Sequence, residues 1–464
     1  MGAESTTLNF TADELISRLL AVEPSAKLAL LDSCGRYLGN SKYLIAGIYP
    51  TEEFAINCRT QTEAFAALRL LDQKLDFYIA KRNPQQLFGG GICLLTISYE
   101  FGLLLEDLLP RNKEFTWSEE PSITFAFYET LIVHDYSIKK SFVVGERAKE
   151  LAETLPNNSS RQNEKSTFAD FLTAQPSAQS VASNFSKEEY LIAVEKIKKR
   201  IGRGDIYQAN LTQQLRVLLP ENVRAEQIFL NLRRDHPAPF GAFIRRPKSC
   251  IVSASPERFF QIQTSNSKTG SRIILTSPIK GTRKRGANAA QDQLLRRELK
   301  TSQKDLAENV MIVDLLRNDL GRVCRIGSVR AEKLFEIETH PTLFHLVSNV
   351  RGELSTNAKT SDLIKALFPC GSITGAPKLS AMQILDMVET AERGLSMGTI
   401  GYFAFDGSAD LSVAIRTMMI SGNAATFNVG GGIVAGSDPA GEYDESLLKA
   451  AALLRSLGAA KKEK

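Results

Sequence analysis

The sequence predicts an α+β fold built on large antiparallel β-sheets. Strand-like apolar runs outnumber helical patterns along the 464 residues, and their order does not repeat the strand–helix–strand unit of a parallel sheet. No long-period internal repeat is present, which argues against a solenoid or a propeller. By length alone, the chain could form two or three domains around a large core.

The first 150 residues mix short apolar runs with turns, and we interpret them as an N-terminal region. Residues 151–184 are the predicted linker, because most of them are Asn, Ser, Gln and Ala, which are typical of an exposed connection. Residues 185–464 are the predicted second domain. In the N-terminal region, strands are predicted at 43–49, 91–98 and 124–133, and a helix near 62–80.

The predicted second domain begins with a clear helix start. Ser186 and Glu189 have the spacing of a capping box, an apolar stripe follows on one helix face, and glycines end it after residue 201. Further strands are predicted at 206–217, 240–244, 249–253, 272–275, 398–405, 413–420 and 426–429. Further helices are predicted at 290–318, 378–390 and 442–457.

Composition excludes several classes of protein. Lys plus Arg exceed Asp plus Glu by 57 to 52, an excess too small to indicate nucleic-acid binding. No apolar run approaches the ~20 residues of a membrane span, and the N-terminus lacks the pattern of a signal peptide. Six scattered cysteines form no Cys-x-x-Cys pair, so we expect reduced thiols, no zinc site and a cytoplasmic protein.

Three glutamates suggest a site for a hard cation. Glu308 lies in an otherwise strongly apolar helix, where a carboxylate must either face water or be paired. Glu442 and Glu445 lie three residues apart, so they share a face of the helix that Asp438 and a following proline begin. Together the three would offer only oxygen ligands, which suit Mg²⁺. Alternatively, the C-terminal pair is a solvated acidic first turn that the helix dipole favours.

Other polar positions allow both a functional and a structural interpretation. The glycines of 430–432 and the Gly-Ser-Ile-Thr-Gly-Ala-Pro-Lys segment at 371–378 could bring backbone N–H groups close to an anion, although a glycine triplet is more often a turn. Arg416 interrupts an apolar run and needs a carboxylate partner from the protein or from a ligand. Tyr402 could add a hydroxyl or simply belong to the core. Lys280 is either exposed or a desolvated nucleophile.

Taken together, these segments resemble the chorismate-utilising enzyme family, which includes anthranilate, aminodeoxychorismate, isochorismate and salicylate synthases. The resemblance is dense over residues 185–458 and thin before them. It implies a β-sandwich core with helices packed outside, and a chorismate-binding catalytic domain at residues 185–464. The segments that carry it occur in the family's order: Ser-Pro-Glu-Arg at 255–258, Pro-Ile-Lys-Gly-Thr at 278–282, Glu-Asn-Val-Met-Ile-Val-Asp at 308–314, residues 371–378, and Gly-Gly-Gly-Ile at 430–433.

Two positions point to an aminating member of the family. Members that activate water have a lysine base where this chain has Gln208, and a glutamine cannot take a proton from water. Anthranilate synthases have alanine where this chain has Lys280, whereas aminodeoxychorismate synthases have lysine. The resemblance therefore implies conversion of chorismate and ammonia to 4-amino-4-deoxychorismate, a step towards para-aminobenzoate and folate.

The resemblance also implies a role for each site residue. Lys280 would attack C2 of chorismate, Glu257 would protonate the departing C4 hydroxyl, and Mg²⁺ would be held by Glu308, Glu442 and Glu445. The enolpyruvyl carboxylate would be held by Arg416, Tyr402, Gly431 and Gly432; other pocket positions are Gln208, Thr282, His345 and Thr374; and a possible tryptophan site includes Ser33 and Tyr43. One departure is Cys370, where glycine is expected.

The source of ammonia is predicted to be a separate glutamine amidotransferase subunit. In such enzymes the nucleophilic cysteine lies on a tight elbow, and no cysteine here has a Gly-x-Cys-x-Gly setting. Two rival functions remain: an anthranilate synthase component I, which would also eliminate pyruvate, and a non-catalytic sensor of chorismate or tryptophan. The presence of Glu257 and Lys280 argues against the sensor, because binding needs neither an acid nor a nucleophile.

Overall fold

The computed structural model describes residues 5–23, 25–35, 42–115, 117, 120–155, 178, 180–264, 271–339 and 343–459. Most of the predicted linker, residues 156–177, lies outside the described residues. The α-helices within the described residues are α1 (Ala12–Leu20), α2 (Gln61–Ala80), α3 (Tyr99–Leu105), α4 (Ala148–Thr154), α5 (Lys187–Gly202), α6 (Ala225–Asp235), α7 (Ala289–Thr301), α8 (Gln303–Gly321), α9 (Thr360–Leu367), α10 (Lys378–Val388) and α11 (Pro439–Ser456).

The strands of the described residues are β1 (Thr6–Leu8), β2 (Ala29–Asp32), β3 (Tyr43–Gly47), β4 (Glu52–Ile56), β5 (Ile92–Ile97), β6 (Ile123–Tyr128), β7 (Thr130–Asp135), β8 (Lys140–Gly145), β9 (Ser180–Ser183), β10 (Gln208–Leu218), β11 (Phe240–Arg245), β12 (Ser249–Ser255), β13 (Arg258–Thr264), β14 (Arg272–Thr276), β15 (Ile279–Lys284), β16 (Arg330–Thr339), β17 (Leu343–Glu353), β18 (Gly375–Ala376), β19 (Thr399–Ala404), β20 (Ala409–Val413), β21 (Thr417–Ser421) and β22 (Ala424–Ile433). Two short 3₁₀ helices occupy Leu87–Gly90 and Gly371–Ile373.

These strands form two large antiparallel sheets, as predicted. The first sheet has 12 strands in the order β1-β8-β7-β3-β2-β11-β12-β21-β22-β10-β18, with β9 paired to β10. The second has 10 strands in the order β15-β17-β14-β13-β20-β19-β5-β6-β4, with β16 paired to β17. The predicted α+β class with large antiparallel sheets is therefore confirmed.

The apolar clusters show how the layers pack. One buried cluster joins the inner faces of the two sheets and includes Ile45 of β3, Leu94 of β5 and Ile400 of β19. A second cluster covers the outer face of the second sheet with residues of α2, α8 and α9, and a third covers the outer face of the first sheet with residues of α1, α6 and α11. The molecule is thus a sandwich with helices outside, because each sheet buries both of its faces.

The predicted boundary between an N-terminal region and a catalytic domain does not separate two packing units. In the first sheet β2 pairs with β11, and in the second β5 pairs with β19. N-terminal strands therefore belong to both sheets, together with strands from after residue 185. The local signals were more accurate: Ser186 and Glu189 do form a capping box, and the Asp438 side chain caps α11 by accepting the Gly441 N–H.

Three predicted elements are wrong because each spans a break. Residues 290–318 form two helices, since Ser302 is extended and its hydroxyl caps α8 by accepting the Asp305 N–H. Residues 413–420 are interrupted at Arg416, which has a φ of 49°. Residues 124–133 are interrupted at Glu129. In both strand cases the two halves, β20 and β21 or β6 and β7, belong to different sheets.

A buried arginine joins these layers behind the candidate site. Arg393, 1% exposed, donates hydrogen bonds to both oxygens of Glu389 at 2.8 and 2.7 Å, and to the carbonyl oxygens of Ile373 and Asn210 at 2.8 and 2.6 Å. Its guanidinium also lies over the ring of Tyr99, 4.2 Å from the ring centroid. One side chain therefore links β10, the 3₁₀ turn Gly371–Ile373 and α3.

Replacing Arg393 by Met should reduce the free energy of unfolding by about 3–5 kcal/mol, because it leaves the Glu389 carboxylate buried without its cation. Urea denaturation measures this change. The double variant Arg393→Met/Glu389→Leu should recover part of the loss, since it removes the uncompensated charge as well. A loss below about 1 kcal/mol in the single variant would show that the ion pair contributes little.

None of the helices in the described residues combines the length and the apolar composition that a membrane span requires.

Candidate active site

The candidate site lies where the end of β22 meets the start of β10. In their antiparallel register Asn210 pairs with Gly432 and Leu211 pairs with Gly431. Gln208 is buried, and its Nε2 lies only 2.1 Å from the point where a Cβ of Gly432 would be. A side chain at residue 432 would therefore require the amide of Gln208 to move. The Gln208 Oε1 atom is buried without a hydrogen-bond partner among the described residues.

The C-terminal carboxylates converge on the neighbouring glycine. A Cβ on Gly431 would lie 3.2 Å from Glu442 Oε2 and 3.9 Å from Glu445 Oε1. Glu442 is buried and accepts a hydrogen bond of 2.7 Å from the Ser437 hydroxyl, which fixes its orientation. Glu445 is partly exposed and pairs with Lys449 at 2.8 Å. The first turn of α11 is therefore more than a solvated acidic turn, since two carboxylates face one open space.

Glu308 of α8 belongs to the same electrostatic cluster. Burial raises the pKa of Glu308 most, the lysines Lys280 and Lys304 lower it, and Glu442 raises it. Burial also acts to raise the pKa of Glu445, but Lys449, Lys304 and Lys280 outweigh this, and the net shift is downward. Carboxylates from two helices thus interact electrostatically with each other and with the same lysines.

This donor set fits a divalent cation that prefers oxygen ligands. The carboxylate oxygens facing the open space at Gly431 are hard ligands of the kind that Mg²⁺ takes. Among the described residues, however, no three His, Cys, Asp or Glu side chains are already gathered closely enough to hold a metal ion. Magnesium at Glu308, Glu442 and Glu445 therefore stays a prediction.

Lys280 and Glu257 interact through charge at the site. Lys280 lies on β15, and its Nζ donates a long hydrogen bond of 3.5 Å to the carbonyl oxygen of Ser372. Glu257 is 6% exposed, and its Oε1 has no hydrogen-bond partner within the described part of the chain. Burial raises the pKa of Glu257, whereas the Lys280 charge and the Ser372 hydroxyl act to lower it. A buried carboxyl with a raised pKa can carry a proton near neutral pH.

The turn that precedes α10 closes the site from behind. The Thr374 hydroxyl donates to the carbonyl oxygens of Cys370 and Gly371, at 3.1 and 3.3 Å, so it holds the turn together. Cys370 is buried, its Sγ lies 3.3 Å from the Ser372 hydroxyl, and burial raises the pKa of its thiol to about 11. The thiol is therefore a packed, protonated neighbour of Ser372.

Two further predicted pocket residues contact each other at the edge of the second sheet. Thr282 and His345 are partners in the register of β15 and β17, and the Thr282 hydroxyl lies 2.9 Å from His345 Nδ1. Thr282 follows Lys280 by two residues on the same strand. Their contact fixes the strand that carries Lys280.

Arg416 lies at the break between β20 and β21. Its backbone has a φ of 49°, and burial lowers the pKa of its guanidinium. No hydrogen bond or ion pair of this guanidinium occurs with the residues that the structure describes, although a charge interaction with His236 does. A half-buried cation without a carboxylate partner is suited to binding an anion.

Tyr402 is not brought to this site. It lines a cavity of ≈ 50 Å³ between the sheets, together with Ser33 and Tyr43, the two residues predicted for a tryptophan site. Burial raises the pKa of its hydroxyl well above the ordinary value. On β19 the side chains alternate, so Tyr402 faces the inter-sheet cluster with Ile400, whereas Phe403 faces the helices. The predicted contact of Tyr402 with the enolpyruvyl carboxylate therefore does not fit its position.

The sequence did not single out three residues that the structure adds to the site. Ser372 contacts both Lys280 and Cys370, Lys304 contributes charge to Glu308 and Glu445, and Lys449 pairs with Glu445. Only Lys449 had a local signal, because it follows Glu445 by four residues on one helix face. Lys378, in contrast, points away: it pairs with Asp319 at 2.6 Å and bonds the Leu367 carbonyl oxygen.

Comparison with known proteins gives a consistent result. A family model described as chorismate binding enzyme matches residues 34–455. Aminodeoxychorismate synthase of Streptomyces pristinaespiralis is 44% identical over 272 residues, which cover 59% of this chain and 37% of that relative. The match thus spans less than half of that relative's length. Aminodeoxychorismate synthase component 1 of Bacillus subtilis is 35% identical over 389 residues, 81% of this chain and 78% of the relative.

A solved structure agrees with the observed architecture. Anthranilate synthase component I from Streptococcus pneumoniae TIGR4 superposes with a TM-score of 0.70 and 25% identity, covering 90% of this chain and 93% of that one. Its similarity extends over both sheets, since it includes nearly the whole chain. Similar proteins thus include both aminodeoxychorismate and anthranilate synthases.

Proposed function

Because this chain belongs to the chorismate binding enzyme family, we propose that it aminates chorismate to 4-amino-4-deoxychorismate. The observation that carries the proposal is that Lys280, whose Nζ contacts the carbonyl oxygen of Ser372, acts through its charge on the buried Glu257. Anthranilate synthases have alanine at the position of Lys280. A lysine that interacts with a proton-carrying carboxyl therefore supports a reaction that passes through a covalent bond between chorismate and the enzyme. The product would serve the synthesis of para-aminobenzoate and folate.

In the proposed reaction two side chains act on chorismate, one as a nucleophile and one as an acid. The Lys280 amine forms a bond to C2 while the C4 hydroxyl leaves with the proton of Glu257, and water is released. Ammonia then bonds to C4, the bond between C2 and the lysine nitrogen breaks, and one proton of the incoming ammonia returns to the Glu257 carboxylate. The lysine returns to its starting form, and one hydroxyl has been replaced by one amino group.

Three carboxylates are proposed to hold Mg²⁺ during this reaction: Glu308, Glu442 and Glu445. When bound, the ion would hold the ring carboxylate of chorismate and offset charge at the reacting centre. Support comes from the open space at Gly431, which two of the carboxylates face. A Cβ at residue 431 would enter this space, 3.2 Å from Glu442 Oε2.

The enolpyruvyl carboxylate is proposed to bind Arg416 and the backbone of Gly431 and Gly432. The guanidinium has no carboxylate partner in the described part of the protein, and a planar guanidinium can hold a carboxylate with two hydrogen bonds. Gln208, packed on Gly432, replaces the base that water-using relatives have. Ammonia needs no such base, because it is already a good nucleophile.

A separate glutamine amidotransferase subunit is proposed to supply the ammonia. Glutamine hydrolysis needs a reactive thiolate, which requires a thiol with a lowered pKa. All six cysteines here have the opposite shift, since burial raises the pKa of each thiol: Cys34, Cys58, Cys93, Cys250, Cys324 and Cys370. The isolated chain should therefore turn over with ammonium salts and not with glutamine. Glutamine-dependent turnover by the pure chain would refute this.

Product analysis tests the proposed reaction against its rivals. The protein is incubated with chorismate, Mg²⁺ and an ammonium salt, and the product is identified by mass and by release of pyruvate. An aminated product that keeps its enolpyruvyl group supports the proposal. Anthranilate with an equal amount of pyruvate would make the chain an anthranilate synthase component I. Saturable chorismate binding without any product, with or without an amidotransferase, would support the non-catalytic sensor.

The cavity between the sheets is a proposed tryptophan site. Ser33 Oγ is buried there without a hydrogen-bond partner among the described residues, so it could accept or donate a bond to a ligand. Tyr43 lines the same cavity and could pack against an indole ring. Saturable binding of tryptophan that weakens in Ser33→Ala would support this site, and its absence in calorimetry would exclude it.

A further inference from the structure

One lysine of the chain lies where the carboxylates of α11 converge. Lys449 Nζ is 2.8 Å from Glu445 Oε1 and donates a hydrogen bond of 2.9 Å to the carbonyl oxygen of Gly430. It also lies 3.4 Å from the position that a Cβ of Gly431 would take, next to Glu442 Oε2 at 3.2 Å. The Lys449 ammonium therefore places a positive charge in the space that the two carboxylates face.

We propose that Lys449 is a built-in counter-ion that competes with the divalent cation for Glu445, so that metal binding requires its ammonium to leave. This inference rests on the proposed magnesium site. A carboxylate oxygen that ligates Mg²⁺ does so at about 2.0–2.1 Å. An ammonium held 2.8 Å from that same oxygen would then face a doubly charged ion at close range, and the two cations repel each other.

The side chains at this point are free enough to exchange partners. The side chain of Lys449 is 43% exposed and that of Glu445 is 52% exposed, so the ammonium can move into water on its flexible stem. Exposed ion pairs of this kind are weak and salt-dependent. Lys304 differs, because it acts on Glu445 through charge alone, without a hydrogen bond or ion pair to it among the described residues.

Direct measurement of metal binding tests this competition. Mn²⁺, which takes the same oxygen ligands as Mg²⁺, is titrated into the full chain without chorismate, and free Mn²⁺ is followed by electron paramagnetic resonance. Lys449→Met should bind Mn²⁺ about five- to tenfold more tightly than the unchanged protein. Lys449→Arg, which keeps the charge, should bind close to the unchanged protein. Circular dichroism confirms that each variant is folded.

Lys304→Met is the matched control, since it removes one positive charge from the same cluster but leaves the ion pair between Lys449 and Glu445 in place. A smaller gain in Lys304→Met than in Lys449→Met supports the proposal. Equal gains in the two variants would overturn it, because the effect would then be general electrostatics. Unchanged affinity in Lys449→Met, with binding intact in the unchanged protein, would overturn it and leave the proposed function standing. No Mn²⁺ binding in any variant would overturn both this inference and the magnesium site.

Discussion

Replacing Lys280 by Ala is expected to lower kcat for chorismate amination by at least about 10³-fold, as loss of a catalytic nucleophile commonly does. The reason is that the Lys280 Nζ contacts the carbonyl oxygen of Ser372 and acts through its charge on the buried Glu257. The chorismate dissociation constant should change far less, since the proposed carboxylate contacts come from Arg416 and the glycines of β22. Steady-state kinetics and calorimetry measure the two quantities separately.

The control for this prediction lies on the same strand. Lys284 is the last residue of β15 and is exposed, so Lys284→Ala removes the same chemical group without touching the site. It should keep kcat within about twofold of the unchanged protein, as surface substitutions generally do. A fall of less than about tenfold in Lys280→Ala would mean that the lysine is not the nucleophile.

Replacing Glu257 by Gln is expected to lower kcat by about 10²–10⁴-fold, the usual contribution of a general acid. Glutamine preserves the shape of the side chain and its contact with Ser372 but has no acidic proton to give. Because burial raises the pKa of Glu257, the carboxyl keeps its proton to a higher pH than an exposed glutamate would. In the unchanged protein kcat should therefore fall as the pH rises through that raised pKa.

The pH profile separates this role from a structural one. In Glu257→Gln the remaining activity should no longer fall at alkaline pH, because the group whose deprotonation causes that fall is gone. Glu195→Gln, at an exposed glutamate of α5 that pairs with Lys198 at 3.2 Å, should leave both kcat and the pH profile unchanged. An alkaline limb that persists unaltered in Glu257→Gln would show that another group supplies the proton.

Local signals in the sequence located most elements, but not the pairing between them. The capping boxes and the α11 cap act within four residues, so they are visible in the chain itself. Strand pairs such as β2 with β11 join residues about 200 positions apart, and apolar composition alone does not specify such partners. The same limit explains the merged predictions at 124–133 and 413–420, since an apolar run continues through a point where the chain changes sheets.

The candidate site was accessible from the sequence because its residues lie in motifs with a recognisable order. The structure brings Glu257, Lys280 and Glu308 into one electrostatic cluster, although they come from three different elements. Tyr402 was assigned to the wrong pocket because β19 is apolar on both faces, so its alternation gives no sign of which side chains face which layer. Ser372 contacts Lys280 through its backbone oxygen, which no side-chain pattern reveals.

The most direct test of the central claim is the mass of the protein during turnover. The enzyme is mixed with chorismate and Mg²⁺ without ammonia, quenched in acid, digested and analysed by mass spectrometry. The account predicts an adduct on Lys280 with the mass of chorismate less one water, which is absent in Lys280→Ala and disappears when ammonium is added before the quench. An aminated product formed at full rate by Lys280→Ala, or an adduct located on another residue, would contradict it.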